Sequence, residues 1–268
     1  MEFTEQYNSI KKIVEEYLFD FLKRKDDGGK VFEAMKYACE GGGKRIRPVL
    51  AYAVAEMLGG KAIDTLPFGI AIELIHSYSL IHDDMPCMDD DDMRRGKPTV
   101  HKKFGEDIAL LAGDALQSLA FEAALESQIS PYIVLECMQT ISTAATKMVQ
   151  GQELDLCARK QSTIDELVKM NLLKTGAIIS GSVWVGGLVG GAPIDKYEEL
   201  GTFSKNVGLA FQLRDDILDG DGFLEIIKKD QAEKMLEELN EEAKLAIHEW
   251  KEKSYFLQDL SNWLIKRD

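Results

Sequence analysis

Apolar residues recur at helical spacing along almost the whole chain, and this pattern limits the possible folds more than any other feature. In residues 5–24, Tyr7, Ile10, Ile13, Val14, Tyr17, Leu18 and Leu22 keep i, i+3, i+4 spacing, which gathers them into one stripe on a helix. Comparable patterns run through 31–40, 47–58, 65–82, 107–127, 131–158, 164–173, 176–190, 195–219, 230–250 and 253–266. Alternation of β-branched residues between turns is nearly absent. The expectation is an all-α fold of roughly ten or more helices, at ordinary helix lengths. Breaks fall at Gly28-Gly29, Gly41 to Gly43, Gly59-Gly60, Pro86, Gly96 to Pro98, Gly105, Pro131 and Gly191 to Pro193. No Pro/Ser-rich linker or solenoid-length repeat divides the 268 residues. One domain over 1–268 is expected. The run 177–190 is apolar nearly all round, which marks a buried, central helix.

Charge and cysteine usage narrow the function. A formal net charge of -14 argues against a nucleic-acid partner, because no broad basic surface is there to neutralise a phosphate backbone. Cys39, Cys87, Cys137 and Cys157 are scattered without CxxC spacing. A disulfide framework or zinc site is therefore not expected, and a reducing compartment is. The N-terminus is charged and mixed, unlike a signal peptide. The longest weakly polar stretch, Ala177 to Ala192, is too short to span a bilayer. A cytoplasmic protein with no membrane span is expected.

Two aspartate clusters close two of the apolar runs. The first is Asp83-Asp84-Met85-Pro86-Cys87-Met88-Asp89-Asp90-Asp91-Asp92, and the second is Asp215-Asp216-Ile217-Leu218-Asp219. Unpaired carboxylates so placed repel one another and cost stability. They make sense if the clusters face each other across a cavity and share divalent cations, since Mg²⁺ prefers carboxylate oxygens and bridges readily to phosphate. One such motif alone is as readily a solvated acidic patch. The second, however, is flanked by Leu209-Ala210-Phe211 and Ile217-Leu218, which bury it. Asp215 and Asp219 share a helix face, with Gln212 three residues before Asp215. In the first cluster Pro86 cannot continue a helix, so the chain should loop and bring Asp89 back toward Asp83 and Asp84. Asp90 to Asp92 are expected to be solvated or to cap the next segment.

Basic residues form two groups. Gly41-Gly42-Gly43-Lys44-Arg45-Ile46-Arg47-Pro48 is a glycine run feeding a helix start. Its N–H groups, with Lys44 and Arg47, could hold an anion without metal. It lacks the spacing of a Walker motif. Arg94-Arg95 is the second group, with a local salt bridge to Asp90 to Asp92 as its plain reading. His76 lies seven residues before Asp83, on the same helix face. Lys174-Thr175-Gly176 precedes the apolar helix; Lys174 is either a solvated C-terminal cap or a holder of diphosphate. Two acidic and two basic groups suggest two anionic substrates, one held through metal and one directly.

These segments resemble the trans-isoprenyl diphosphate synthase family, and within it the bacterial farnesyl diphosphate synthases. The matching stretches are Gly42 to Pro48, His76 to Asp89, Arg94 to Thr99, Gly151-Gln152-Glu153-Leu154-Asp155, Lys174-Thr175-Gly176, Phe211 to Asp219 and the terminal Arg267-Asp268. The resemblance implies a helical bundle around a central cavity, working as a homodimer. It implies three Mg²⁺ ions held by Asp83, Asp84 and Asp89 on one side and Asp215, Asp216 and Asp219 on the other. Gly43, Lys44, Arg47, His76, Arg94, Arg95 and Gln152 would bind isopentenyl diphosphate and an allylic diphosphate. Lys174, Thr175 and Gln212 would serve the chemistry. Tyr78 and Ser79 would set product length: Tyr78 is five residues before Asp83, about 7 Å along a helix, where an aromatic ring would floor the cavity near fifteen carbons. Geranyl and geranylgeranyl diphosphate synthases, a non-catalytic subunit, an acidic scaffold and a cyclase are the rival readings.

One departure stands out. Family members continue after the second cluster with a polar, lysine-bearing loop, whereas here Asp219 runs through Gly220-Asp221-Gly222 into Phe223-Leu224-Glu225-Ile226. About twenty residues of mobile lid are missing near 219–223. The favoured expectation is a break in the chain there rather than a true deletion, and a continuous backbone would refute it.

Overall fold

The computed structural model describes residues 2–157 and 163–266; the expected match at Arg267-Asp268 lies outside them. Twelve α-helices stand among the described residues: α1 (Phe3–Lys25), α2 (Lys30–Glu40), α3 (Ile46–Leu58), α4 (Leu66–Asp83), α5 (Val100–Phe104), α6 (Glu106–Leu125), α7 (Pro131–Cys157), α8 (Ile164–Asn171), α9 (Ala177–Gly190), α10 (Tyr197–Asp219), α11 (Lys229–Ala246) and α12 (Tyr255–Lys266). The one sheet among them is an antiparallel hairpin, β1 (Met93–Arg94) with β2 (Lys97–Pro98). The all-α expectation holds.

The stripe read from the sequence of α1 is its buried face: Tyr7, Ile10, Val14, Leu18 and Leu22 are buried, with Phe21 beside them. Helix α9 is central, as its composition requires. It packs against α3, α4, α7 and α10, and only its C-terminal end (Leu188 to Gly190), Ser180 and Trp184 reach partial exposure.

Three local features differ from expectation. The segment 93–104 folds into the hairpin and the short α5 rather than a loop, tied by Thr99 donating to the Asp91 carbonyl at 2.8 Å. Helix α11 stops at Ala246 and gives way to a tighter turn, His248–Ser254. Leu172–Gly176 is not a break but a π-turn, which joins α8 and α9 into one rod, Ile164–Gly190. By length and composition this rod and Glu106–Leu125 are apolar enough to cross a membrane, contrary to the sequence expectation; 56% and 44% of their apolar windows are buried within the fold. Such burial is what core helices show.

Candidate active site

Helix α4 ends where Pro86 makes it end. The Met88 N–H then reaches the Met85 carbonyl at 2.8 Å, and the Asp89 N–H reaches the Asp83 carbonyl at 2.9 Å. The loop returns Asp89 to Asp83, as expected. The carboxylates then part company. Asp84, only 2% exposed, accepts both Nε and Nη2 of Arg94 at 2.6 Å. Asp83 makes no hydrogen bond or ion pair through its carboxylate among the described residues. Burial, then the Asp89 and Asp84 charges, push it up to about 6 against the pull of Lys174 and Arg94. Asp90 and Asp92 are exposed beside Lys102, at 4.0 and 2.7 Å.

The second cluster ends α10 and shows the same division. Asp216 is 5% exposed and fully engaged: Gln212 Nε2 donates to Oδ1 at 2.9 Å, and the Phe223 N–H donates to Oδ2 at 3.0 Å. Gln212 therefore serves Asp216, four residues on, rather than aligning with Asp215. Its own Oε1 accepts from Thr175 Oγ1 at 2.9 Å. Asp215 is half-buried and Asp219 exposed. Gly220 and Asp221 N–H groups both reach the Asp216 carbonyl, at 2.9 and 3.2 Å. The connection from α10 to α11 is short, and Lys228 is its one lysine.

The π-turn sets Lys174 and Thr175 between the two clusters. A π-turn inserts one extra residue per turn and turns side chains off the regular faces, which is frequent at functional sites. Lys174 is not a helix cap; it is paired with Asp155 on α7. The two elements approach so closely that a Cβ at Gly151 would stand 2.1 Å from the Lys174 nitrogen, so this position must be glycine. Gln152 is thereby brought next to the turn.

On the third side, Gly43 and the basic residues after it fold against the hairpin. Arg95 donates to the Gly42 carbonyl. Lys44 points toward α12, its Nζ 5.4 Å from the Trp263 ring, and its carbonyl accepts from Tyr7. Arg47 and His76 face the interior. Burial, then the charges of Arg47, Arg95, Arg94 and Arg45, hold His76 well below its ordinary value; it is a neutral imidazole. Burial also lowers Arg47, opposed first by the Glu73 charge and last by Asp215, with Arg95 adding to the lowering. Arg47 and Asp83 line one cavity.

The cavity is about 630 Å³. Arg47, His76, Asp83, Gln152, Lys174 and Thr175 supply its polar lining, and Tyr78, Leu80, Leu110, Met148 and Leu156 are among its apolar lining, with Ser79 beside Tyr78. Gly43, Lys44, Asp89, Gln212 and the α10 aspartates do not line it; Gln212 reaches it through Thr175. Asp84, Arg94 and Arg95 line a smaller hollow that also touches His76. Arg47 Nε and Gln152 Nε2 are buried without a hydrogen-bond partner. Unpartnered buried donors are costly and suit an anion with many acceptor oxygens. Among the described residues no three carboxylate, His or Cys side chains stand close enough to form a metal site alone. The unpartnered Asp83 carboxylate, raised by burial and by Asp89, still fits a hard cation, with a ligand supplying the remaining oxygens.

Sequence reasoning missed three residues. Arg45 and Glu73 form a buried pair at 2.8 Å; Arg45 also donates to the Cys39 carbonyl at 2.6 Å. Arg45 takes a left-handed φ of 54°, sparsely populated for a residue with Cβ, and the pair holds the glycine loop to α4. The signal was a lone Glu inside the apolar run of α4. Asp155, the partner of Lys174, closes the Gly151 to Asp155 stretch, where its charge alone gave no hint of a role.

Residues 29–246 match the family model described as polyprenyl synthetase. Over 203 residues the chain is 47% identical to a farnesyl diphosphate synthase from Micrococcus luteus, covering 75% of this chain and 70% of that one. It is 43% identical over 198 residues to a chloroplastic geranylgeranyl pyrophosphate synthase from Catharanthus roseus, with 71% and 55% covered. The fold superposes on the apo structure of an FPP/GFPP synthase from Zymomonas mobilis with a TM-score of 0.91 at 35% identity, covering 98% of this chain and 100% of the other. The chain belongs to the polyprenyl synthetase family.

Proposed function

We propose that residues 1–268 form one prenyltransferase domain. It joins isopentenyl diphosphate head-to-tail to dimethylallyl or geranyl diphosphate, and its product is farnesyl diphosphate. The carrying observation is a cavity lined by both charged or polar and apolar side chains. Asp83, Lys174, Arg47 and Gln152 are gathered at its polar lining, and Tyr78 with Leu110 and Met148 forms apolar wall. A diphosphate with a hydrocarbon tail has that same duality.

Arg47, Arg95, Lys44 and His76 hold isopentenyl diphosphate beside the Gly43 loop. The unpartnered Arg47 Nε donates to its phosphate oxygens, and neutral His76 adds one N–H. Lys174 and Arg94 face the allylic diphosphate. Asp83, Asp89, Asp215 and Asp219 would hold Mg²⁺, three ions in all. Asp84 and Asp216 support the walls instead, since their oxygens are already bonded to Arg94, Gln212 and the Phe223 N–H. Bound there, Mg²⁺ supplies the positive charge that neutralises the leaving diphosphate. The allylic C–O bond breaks, the double bond of isopentenyl diphosphate attacks the cation, and a proton leaves to the departed diphosphate. Thr175 donates to Gln212, which turns the hydroxyl lone pairs of Thr175 toward the cation. The apolar lining keeps water from quenching it.

The protein acts in the cytoplasm as a homodimer. Exposed Leu110, Leu111, Tyr132 and Leu135 on α6 and α7 support an interface, and four free cysteines suit a reducing compartment. Geranylgeranyl diphosphate is the rival product; it would use the same polar residues and differ only in cavity depth. Incubation with Mg²⁺, isopentenyl diphosphate and each allylic primer, then chromatographic sizing, tests the reading. Farnesyl diphosphate supports it; no prenyl product overturns it.

A further inference from the structure

We infer that His82, seated in a notch that Gly113 leaves open on α6, sets the cavity width beside Tyr78 and so helps fix product length. The inference rests on the proposed reading of Tyr78 as the cavity floor and adds the group that braces it.

Three contacts hold the imidazole. It meets the Tyr78 ring edge-on, with centroids 5.7 Å apart and planes at 73°. Its Nε2 lies 3.2 Å from the Leu110 carbonyl; a carbonyl only accepts, so Nε2 carries the proton. Its far edge fills the place of a side chain at Gly113, where a built Cβ would stand 2.1 Å from Nε2, 2.5 Å from Cδ2 and 2.8 Å from Cε1. No atom survives such distances, so any side chain at 113 must push the ring off α6. His82, Tyr78 and Leu110 all line the large cavity, and that cavity is the open space on the ring's other side. Glycine at 113 therefore keeps the ring back, and the ring keeps Tyr78 from turning away.

Two substitutions should act in opposite directions. His82→Ala removes the brace and widens the floor; products longer than C15 should rise relative to C15. Gly113→Ala drives the ring into the cavity; products shorter than C15 should rise. One methylene of apolar pocket discriminates substrates by about ten-fold or more, so each ratio should move by about that factor. The double variant should return toward C15, because the added methyl then occupies space the ring has left. His82→Asn keeps an N–H for the Leu110 carbonyl without the ring and should also lengthen the product. It serves if His82→Ala melts below the assay temperature.

The experiment is product chromatography of these variants with Mg²⁺, isopentenyl diphosphate and geranyl diphosphate, or dimethylallyl diphosphate for Gly113→Ala, with Tyr78→Ala run alongside. Opposite shifts with recovery in the double variant support the inference. If Tyr78→Ala lengthens the product while the folded His82 and Gly113 variants keep the parent distribution, the brace is wrong and the floor stands. If Tyr78→Ala itself stays at C15, the floor reading fails and the brace with it.

Discussion

The two aspartate walls share one plan and differ in how it is carried out. In each, the second aspartate turns inward and is bonded within the protein. On the first wall Asp84 is neutralised by a full charge, the Arg94 guanidinium at 2.6 Å. On the second, Asp216 is held by neutral donors only, Gln212 and the Phe223 N–H. The surroundings differ likewise. The first wall leads into a hairpin carrying Arg94, Arg95 and Lys97; the second leads into Asp219, Asp221 and Glu225. Asp221 is pushed up by burial and then by the charges of Asp219, Glu225 and Asp155. One inward aspartate is thus held by a full charge, and the other by dipoles alone.

The largest effect should come from the outward aspartates, on activity alone. Asp83→Ala and Asp215→Ala each remove charge stabilisation that matters most in the transition state. Losses of about 100- to 1,000-fold in kcat are expected, with no fall in melting temperature. Steady-state kinetics with geranyl diphosphate checks this. Disturbing the inward aspartates should cost stability as well, which sharpens the contrast between the walls. Arg94→Ala leaves Asp84 buried and unpaired, for a loss of about 3 kcal/mol, the low end for broken buried pairs because Arg94 is itself partly exposed. Asp216→Ala strands two neutral donors and should cost about 1–3 kcal/mol. Denaturant melts rank them, and equal losses would erase the distinction between charge and dipole support.

A smaller effect separates the walls by pH. Asp83 has its folded pKa raised to about 6, above the unfolded value. Protonation therefore favours the folded state, and this carboxyl destabilises the metal-free protein at neutral pH. Stability should rise as pH falls through about 6 toward the ordinary aspartate range. Asp84, Asp216 and Asp221 are raised in the same direction. Asp83→Asn should flatten part of the rise, and melting temperature against pH in a chelating buffer measures it. An unchanged slope in that variant would show that Asp83 is not the group under strain.

Much of the first wall was legible because its cause is local. Pro86 fixes where α4 ends, and the return of Asp89 is decided within six residues. The all-α fold and the central α9 were legible for the same reason, since period and composition declare them. What escaped depends on partners distant in sequence. The Arg45–Glu73 pair spans 28 residues, and nothing local tells a buried glutamate what it will meet. The π-turn escaped because one extra residue barely disturbs an apolar pattern, yet it changes Lys174 from a cap into a cavity residue. Gln212 was read as sharing a face with Asp215, but it bonds Asp216, whose other oxygen takes the Phe223 N–H beyond the helix end. The short 219–223 connection was visible in the sequence.

Calorimetric titration of a non-ionising allylic diphosphate analogue, with and without Mg²⁺, tests the central claim most directly when run on the parent, Asp83→Asn, Asp215→Asn and the double variant. If both walls grip one ligand through shared cations, each single change should abolish the Mg²⁺-dependent part of the affinity, and the double change should add little more. Affinity that ignores Mg²⁺, or strictly additive losses from the two walls, would contradict the account.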